Sequence, residues 1–345
     1  MSKKSKAKWK VVLNIVTIIA LFGAIYALRH QIVDSLNNLG KVDTWALFLV
    51  IPLQLLNYHA YTNQSRSLFS ILGEKLRYRP MFRLMLEMNF VGLVFPSGGV
   101  TGLSYFGIRM KDADVSTAKT SLVYLMRYIM VFISFQILLG TGLLLLALDG
   151  KASRFVLLVG GSLSTLILVG TAGIVFIIGS KYRINRFFVA VSQALNKVIH
   201  VVRPRHPETI NIEKVRNLFN ELHEDYLLIK NDFSALKMPL IWSLLALSAE
   251  IATIYVVYVA FGAWVNPGAV ILAYAVATIA GFFSVLPGGI GIYEALMTAV
   301  LAASGVSPGV SIPVTVMYRV LAISVQIPPG FYFYNKNIRS KTESS

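Results

Sequence analysis

The chain has 345 residues, of which 56% are hydrophobic and only 14% charged, with a formal charge of +16. A soluble domain carries about a quarter charged residues, so that class is excluded. The chain contains no cysteine, which excludes disulfides, thiolate metal sites and cysteine nucleophiles. In a chain this apolar the basic excess reads as attraction to anionic lipid headgroups rather than nucleic-acid binding.

The apolar residues come in blocks long enough to cross a hydrocarbon core of about 30 Å, which takes about 20 helical residues. Five lysines between Lys3 and Lys10 precede an apolar run from Val11 to Leu28. The run is too long for the core of a signal peptide and no small-residue cleavage site closes it, so a retained first span is expected over 10–29. A second span is expected over 43–63. The stretch 84–108 is also apolar but is broken by Pro96-Ser97-Gly98-Gly99. Glycine and proline cost about 1 and 3 kcal/mol in a helix interior, so this stretch reads as two half-helices.

Spans follow over 117–148 and 154–180. The connection 181–237 is no soluble domain of useful size. Ile184, Phe187, Phe188, Val191, Leu195, Val198, Ile199 and Val202 keep helical spacing, as in an amphipathic helix lying on the inner membrane surface. Pro204 and Pro207 end it, and a second amphipathic segment runs from Ile212 to Phe233. Contact with anionic lipid and a simple connecting elbow are both open readings. A span over 236–262 comes next. The stretch 268–304 is broken in its turn, by Pro287-Gly288-Gly289-Ile290-Gly291, and a last span covers 310–334.

The expected fold is therefore an all-α polytopic membrane protein with about six spanning helices and two broken, re-entrant hairpins. It forms one domain over 1–345, with a first half at 10–180, an amphipathic cytoplasmic loop at 181–235 and a second half at 236–335. With both hairpins re-entrant, 26 of the 32 Lys and Arg fall on the side of the N-terminus. The positive-inside rule makes that side cytoplasmic, in the cell membrane, with both termini inside. The first hairpin then enters from the cytoplasm and the second from outside. Pro96 precedes Arg127 by 31 residues and Pro287 precedes Arg319 by 32, and each arginine has a tyrosine neighbour, Tyr128 or Tyr318. A unit repeated in opposite orientations is the inverted repeat of many transporters, with the substrate site near the midplane.

Ionisable groups inside hydrocarbon cost at least about 2.5–3.5 kcal/mol unless paired or hydrated. Four stand out: Arg127, Arg319, Glu250 in mid-span, and Glu294 just past the second glycine loop. Two arginines could hold one anionic headgroup through bidentate contacts to phosphate oxygens. Half-helix N-termini at Gly98-Gly99 and Gly289–Gly291 would add backbone N–H groups, with Pro287 and Gly288 shaping the second loop. Tyr105, Tyr293 and Tyr318 could add hydrogen bonds. Structural pairing of the arginines with Glu250 and Glu294 satisfies the same rule and stays open.

Catalytic patterns are poor, and neither catalytic residues, a metal nor a cofactor is expected. His30, His59, His200, His206 and His223 lack zinc spacing, and His223-Glu224 lacks the second histidine of a metalloprotease helix. There is no GxxxxGK[ST] loop, and the glycines at 288–291 do not make a dinucleotide fingerprint. Glu87 and His59 read as packing residues.

The run VLPGGIGIYEALMTAVLAASGVSPGVSIPVTVMYRVL over 285–321 resembles the transmembrane domain of the lysylphosphatidylglycerol synthase/flippase family. The resemblance rests on Pro287 to Glu294, the Gly-Val-Ser-Pro turn at 305–308, and the Tyr318-Arg319 pair. FPSGGVTG, with Arg127 in the following helix, resembles the family's first glycine loop, and the likeness covers roughly 10–335. In relatives a Glu and then an Arg often follow that first loop, whereas this chain reads Leu103-Ser104-Tyr105-Phe106 there. Bifunctional members add a soluble aminoacyl-transfer domain, for which the eleven residues after Tyr334 leave no room. The resemblance thus implies the lipid-translocating half.

The function expected is a flippase for an anionic, aminoacylated or polyprenyl-phosphate-linked lipid. Isoprenoid-linked sugar lipids, handled by stand-alone members, make a separate glycosyltransferase or synthase a conceivable partner. The alternatives are an intramembrane headgroup transferase using Glu294 or Glu250 as base, and a partner subunit of a lysyltransferase-type synthase.

Overall fold

A computed structural model describes residues 42–94, 100–150, 153–183, 185–186, 190, 212–282, 289 and 291–343. The span expected over 10–29, most of the amphipathic helix expected over 184–202, and the loop residues Gly98, Gly99, Pro287 and Gly288 lie outside these. The described residues form the helices α1 (Thr44–Phe48), α2 (Val50–Ile71), α3 (Tyr78–Val94), α4 (Val100–Lys111), α5 (Thr117–Leu148), α6 (Arg154–Ile178), α7 (Ile212–Asn231), α8 (Lys237–Ala260), α9 (Pro267–Phe282), α10 (Ile292–Ala303) and α11 (Pro308–Glu343). No strand occurs among the described residues. The chain is an all-α polytopic membrane protein.

Local chemistry sets the boundaries. The Ser116 hydroxyl accepts from the Lys119 N–H at 3.2 Å and Ser153 accepts from Val156 N–H at 3.2 Å, so α5 and α6 start on side-chain caps that satisfy N–H groups orphaned by the first turn. Both broken stretches are pairs of shorter helices, as the Pro/Gly breaks require. In the first pair Glu87 of α3 bonds Arg109 of α4, and each residue stands eleven positions from Gly98. Equal distances from the break are what an antiparallel hairpin gives. In the second pair α9 packs along α10, and a Cβ at Gly289 would lie 3.3 Å from Gly281 Cα.

Among the described residues, four helices are long and apolar enough to cross a membrane: Thr117–Leu148, Arg154–Ile178, Phe233–Ala260 and Pro308–Ile338. The span expected over 43–63 is not among them. It is split at Leu49 into α1 and α2, and α2 carries Gln54, Asn57, Thr62, Gln64 and Ser65, all buried. These polar groups lower its hydropathy, and α2 hides them against its neighbours: Gln54 and Asn57 bond α8, Gln64 bonds α5 and Ser65 meets Met85 of α3. The opposite case is α6, which leaves Phe155, Leu158, Leu166, Leu168, Val169 and Phe176 largely exposed. A continuous apolar face of this kind belongs in hydrocarbon, not water.

The second amphipathic segment is α7, and its apolar stripe meets protein. Leu222, Tyr226 and Ile229, at helical spacing, are buried in one cluster with Leu122, Val123, Met126 and Met130 of α5 and Ile178 of α6. His223 Nδ1 lies 2.9 Å from the Ile178 carbonyl oxygen.

The last helix is held by close backbone approach to α3. A Cβ on Gly330 would sit 2.6 Å from Phe90 Cβ and 2.7 Å from the Leu86 carbonyl oxygen. Gly330→Ala should therefore cost about 1–3 kcal/mol through overpacking, seen as earlier thermal unfolding in detergent. Gly161→Ala, where nothing lies within 4 Å, is the control. Equal melting of the two variants would contradict the contact.

Candidate functional site

Helices α8 to α11, together with α3, surround a cavity of about 300 Å³. Its wall includes Glu250, Tyr274, Tyr293, Tyr318, Arg319 and Gln326, with Asn89 and Gly92 contributed by α3. Four of the expected site residues are thus brought to one place: Glu250, Tyr293, Tyr318 and Arg319. Glu294 sits behind Arg319. Arg127 and Tyr105 are not part of this wall, so the expectation that both arginines close on one headgroup is not met in this conformation.

The α10 N-terminus explains how Arg319 is held. Gly291, at φ +87°, caps the helix, a left-handed conformation that glycine adopts without the Cβ clash. Its N–H donates to Glu294 Oε2 at 2.6 Å, while Arg319 Nε donates to Glu294 Oε1 at 3.0 Å. Each carboxylate oxygen therefore has a partner, one a helix-terminal N–H with its favourable dipole. The Arg319 guanidinium also lies over the Tyr293 ring, 4.6 Å from its centroid, a cation–π geometry. One arginine of the structural-pairing reading is thus paired as that reading has it.

The other is not. Glu250, only 8% exposed, takes hydrogen bonds from the Tyr318 hydroxyl and from Gln54 Nε2 at 3.1 Å. Gln54 Oε1 in turn accepts from Gln326 Nε2 at 2.9 Å. Gln326 Oε1 accepts from Asn89 Nδ2 at 2.8 Å, and Asn89 also bonds the Tyr58 hydroxyl. A continuous polar chain thus crosses α8, α2, α11 and α3. Arg127 meets no carboxylate among the described residues. Its guanidinium lies 5.9 Å from the ring centroids of both Tyr61 and Phe106. Its Nε is buried without a hydrogen-bond partner, as is Gln64 Oε1 nearby, whose own Nε2 donates to the Arg127 carbonyl at 3.5 Å. Counted from the proline of each loop, Leu103 stands where the second half has Glu294. The acid that ties down Arg319 has no counterpart beside Arg127.

Tyr105 belongs to a separate cluster. Its hydroxyl donates to Glu87 Oε2 at 2.7 Å, and Arg109 grips the same carboxylate at 2.8 and 3.4 Å. Glu87 is thus a buried ion-pair partner as well as a packing residue. Sequence reasoning missed Arg109, Gln54, Gln326 and Asn89. The available signal was a polar side chain within an apolar helix.

The profile of the lysylphosphatidylglycerol synthase TM region matches residues 11–330. The chain belongs to this family. Among curated relatives, a UPF0104 membrane protein of Pyrococcus horikoshii is 24% identical over 207 residues, 58% of this chain and 59% of the relative. Two matches to UPF0104 membrane proteins of Methanothermobacter thermautotrophicus are 28% identical over 109 residues and 32% identical over 117. These cover 32% of this chain each, and 32% and 34% of the respective relatives. The aligned part thus spans little more than half of the first relative and about a third of the others. The lysylphosphatidylglycerol synthase TM family match takes in both glycine loops and both arginines.

Glu294→Ala should remove the carboxylate that Arg319 bonds, a loss of about 3–5 kcal/mol for a broken buried pair. The double change Glu294→Leu with Arg319→Met should recover most of it, as read by thermal unfolding in detergent. A double variant as unstable as the single would locate the cost elsewhere.

Proposed function

We propose that this protein moves a lipid with an anionic headgroup between the leaflets of the cell membrane, with both termini cytoplasmic. The observation that carries the proposal is the cavity of about 300 Å³ whose charged lining residues are Arg319 and Glu250. Its volume is that of a small-ligand pocket, suited to a headgroup and not to acyl chains, which would stay outside against apolar faces such as that of α6. Ionisable groups at membrane depth are retained where they serve a substrate or ion path.

In this reading α3–α4 with α5 and α9–α10 with α11 are the two units of an inverted repeat. The helix pairs are its re-entrant hairpins, and alternating access exchanges their roles. Arg319, steadied by Glu294, contacts phosphate at one stage. Arg127, with a buried and unpartnered Nε, takes it at another. Lipid identity follows from headgroup chemistry: a phosphodiester, its aminoacylated form, or a polyprenyl phosphate. The transferase alternative is weaker at Glu294, since both of its oxygens are engaged. Nothing specific favours the partner-subunit reading.

The test is leaflet exchange of fluorescent phosphatidylglycerol, its lysyl ester and a polyprenyl phosphate in reconstituted vesicles. Exchange should exceed that of protein-free vesicles for at least one lipid, and fall about tenfold or more when a charged phosphate contact is lost, in Arg127→Ala and in Arg319→Lys. Arg319→Lys keeps the charge beside Glu294 and removes only the planar fork. Unaltered exchange in both variants would overturn the reading, and a new lipid product on adding a donor would favour the transferase.

A further inference from the structure

Glu250 is the one charged group on the cavity wall without a counter-charge in direct contact, among the described residues. Arg319 makes its ion pair with Glu294, and Glu250 holds only the neutral donors Tyr318 and Gln54. The groups near enough to act on it electrostatically are Tyr58 and Tyr61 of α2, Tyr274 of α9, Tyr293 of α10, and Tyr318 and Arg319 of α11. From α5, Arg127 reaches Tyr61, and α1 carries no titratable residue. Arg319 is thus the only cation in that set.

This environment accommodates two protonation states. Ionised, Glu250 accepts from both partners. Protonated, it needs one acceptor, and the tyrosine hydroxyl can reverse its role while Gln54 goes on donating to the other oxygen. No contact is lost in either state.

The charge balance of the cavity changes with that proton. With the Arg319–Glu294 pair neutral as a unit, ionised Glu250 leaves the site negative and unfavourable for phosphate. One proton removes that repulsion. By linkage, a proton that favours the anion is itself favoured by the anion.

We propose that Glu250 is a proton-binding site that couples the movement of an anionic headgroup to co-movement of a proton. This rests on the lipid-translocation reading above, and the two can fail separately. The probe is fluorescent phosphatidylglycerol in phosphatidylcholine vesicles, compared throughout with protein-free vesicles. Acidifying the side from which the lipid starts should speed exchange about fivefold or more, the lower end of ordinary coupling between sites. Glu250→Gln should lose that response. Glu250→Asp should keep it with a displaced pH midpoint, and carries the comparison if the glutamine variant does not exchange lipid.

No exchange of phosphatidylglycerol, its lysyl ester or a polyprenyl phosphate by the unaltered protein would sink the translocation reading. Should phosphatidylglycerol alone not exchange, whichever of the other two does takes its place as the probe. Exchange that ignores the pH gradient, or follows a sodium gradient at equal pH, would overturn the proton site alone. So would a glutamine variant that still responds to pH, or an aspartate variant with an unmoved midpoint.

Discussion

A charge inside hydrocarbon must find a partner, and most of this architecture answers that demand. Arg319, largely buried on α11, is met by Glu294 at 3.0 Å. Glu294 can stand there because Gly291 turns the chain into α10 with its N–H aimed back at the carboxylate. The glycine loop, often read in transporters as a hinge or ligand cradle, has here a prior duty. It holds the acid that holds the arginine. Under the proposed function, a headgroup arriving at Arg319 meets a guanidinium already oriented by Glu294 on one side and by the Tyr293 ring on another. That is preorganisation, and it reduces what binding must spend on ordering the site.

The same demand sorts the helices by what covers them. A polar helix such as α2 is stable at membrane depth only when protein surrounds it, because an unpaired amide in lipid costs several kcal/mol. Gln54 and Asn57 are therefore enclosed by α8 and α11, and they become joints of the bundle. Gln54 ties α2 to Glu250, and Gln326 ties α11 to Gln54. An apolar helix such as α6 faces no such demand and can lie at the periphery against lipid. The expectation of a span over 43–63 rested on apolar content, and the buried polar positions are what keep α2 out of the long apolar helices.

What the amino-acid order made legible were the features that rest on local chemistry. Pro and Gly marked both breaks, serines marked helix starts, and long apolar runs marked α5, α6, α8 and α11. Glu250, Tyr293, Tyr318 and Arg319 drew attention because each is polar in an apolar setting, and they share a cavity. What stayed hidden depends on distant pairing. Gln54 meets Glu250 across 196 residues and Gln326 across 272, separations at which spacing carries no information. Glu87 is instructive for another reason. Its partner Arg109 lies only 22 residues away, across a recognised break, so a hairpin drawn with equal arms already aligns them. The pairing was available once the break was treated as a fold-back with a register.

The two halves, similar in layout, differ in how they answer the demand for a counter-charge. In the second, acid and arginine lie on adjacent helices of one unit and neutralise each other. In the first, the acid has moved: Glu87 pairs with Arg109, Leu103 fills the place matching Glu294, and Arg127 is left with aromatic faces and a buried, unpartnered Nε. Aromatic faces soften that cost without neutralising the charge. A fully neutralised arginine offers an anion little, and a bare one would hold it too well to let go. If the protein carries a lipid as proposed, one arginine of each kind supplies a graded pair of attractions. An anion could be passed between them, with Glu250 beside the tighter-bound arginine to set when the second station accepts it.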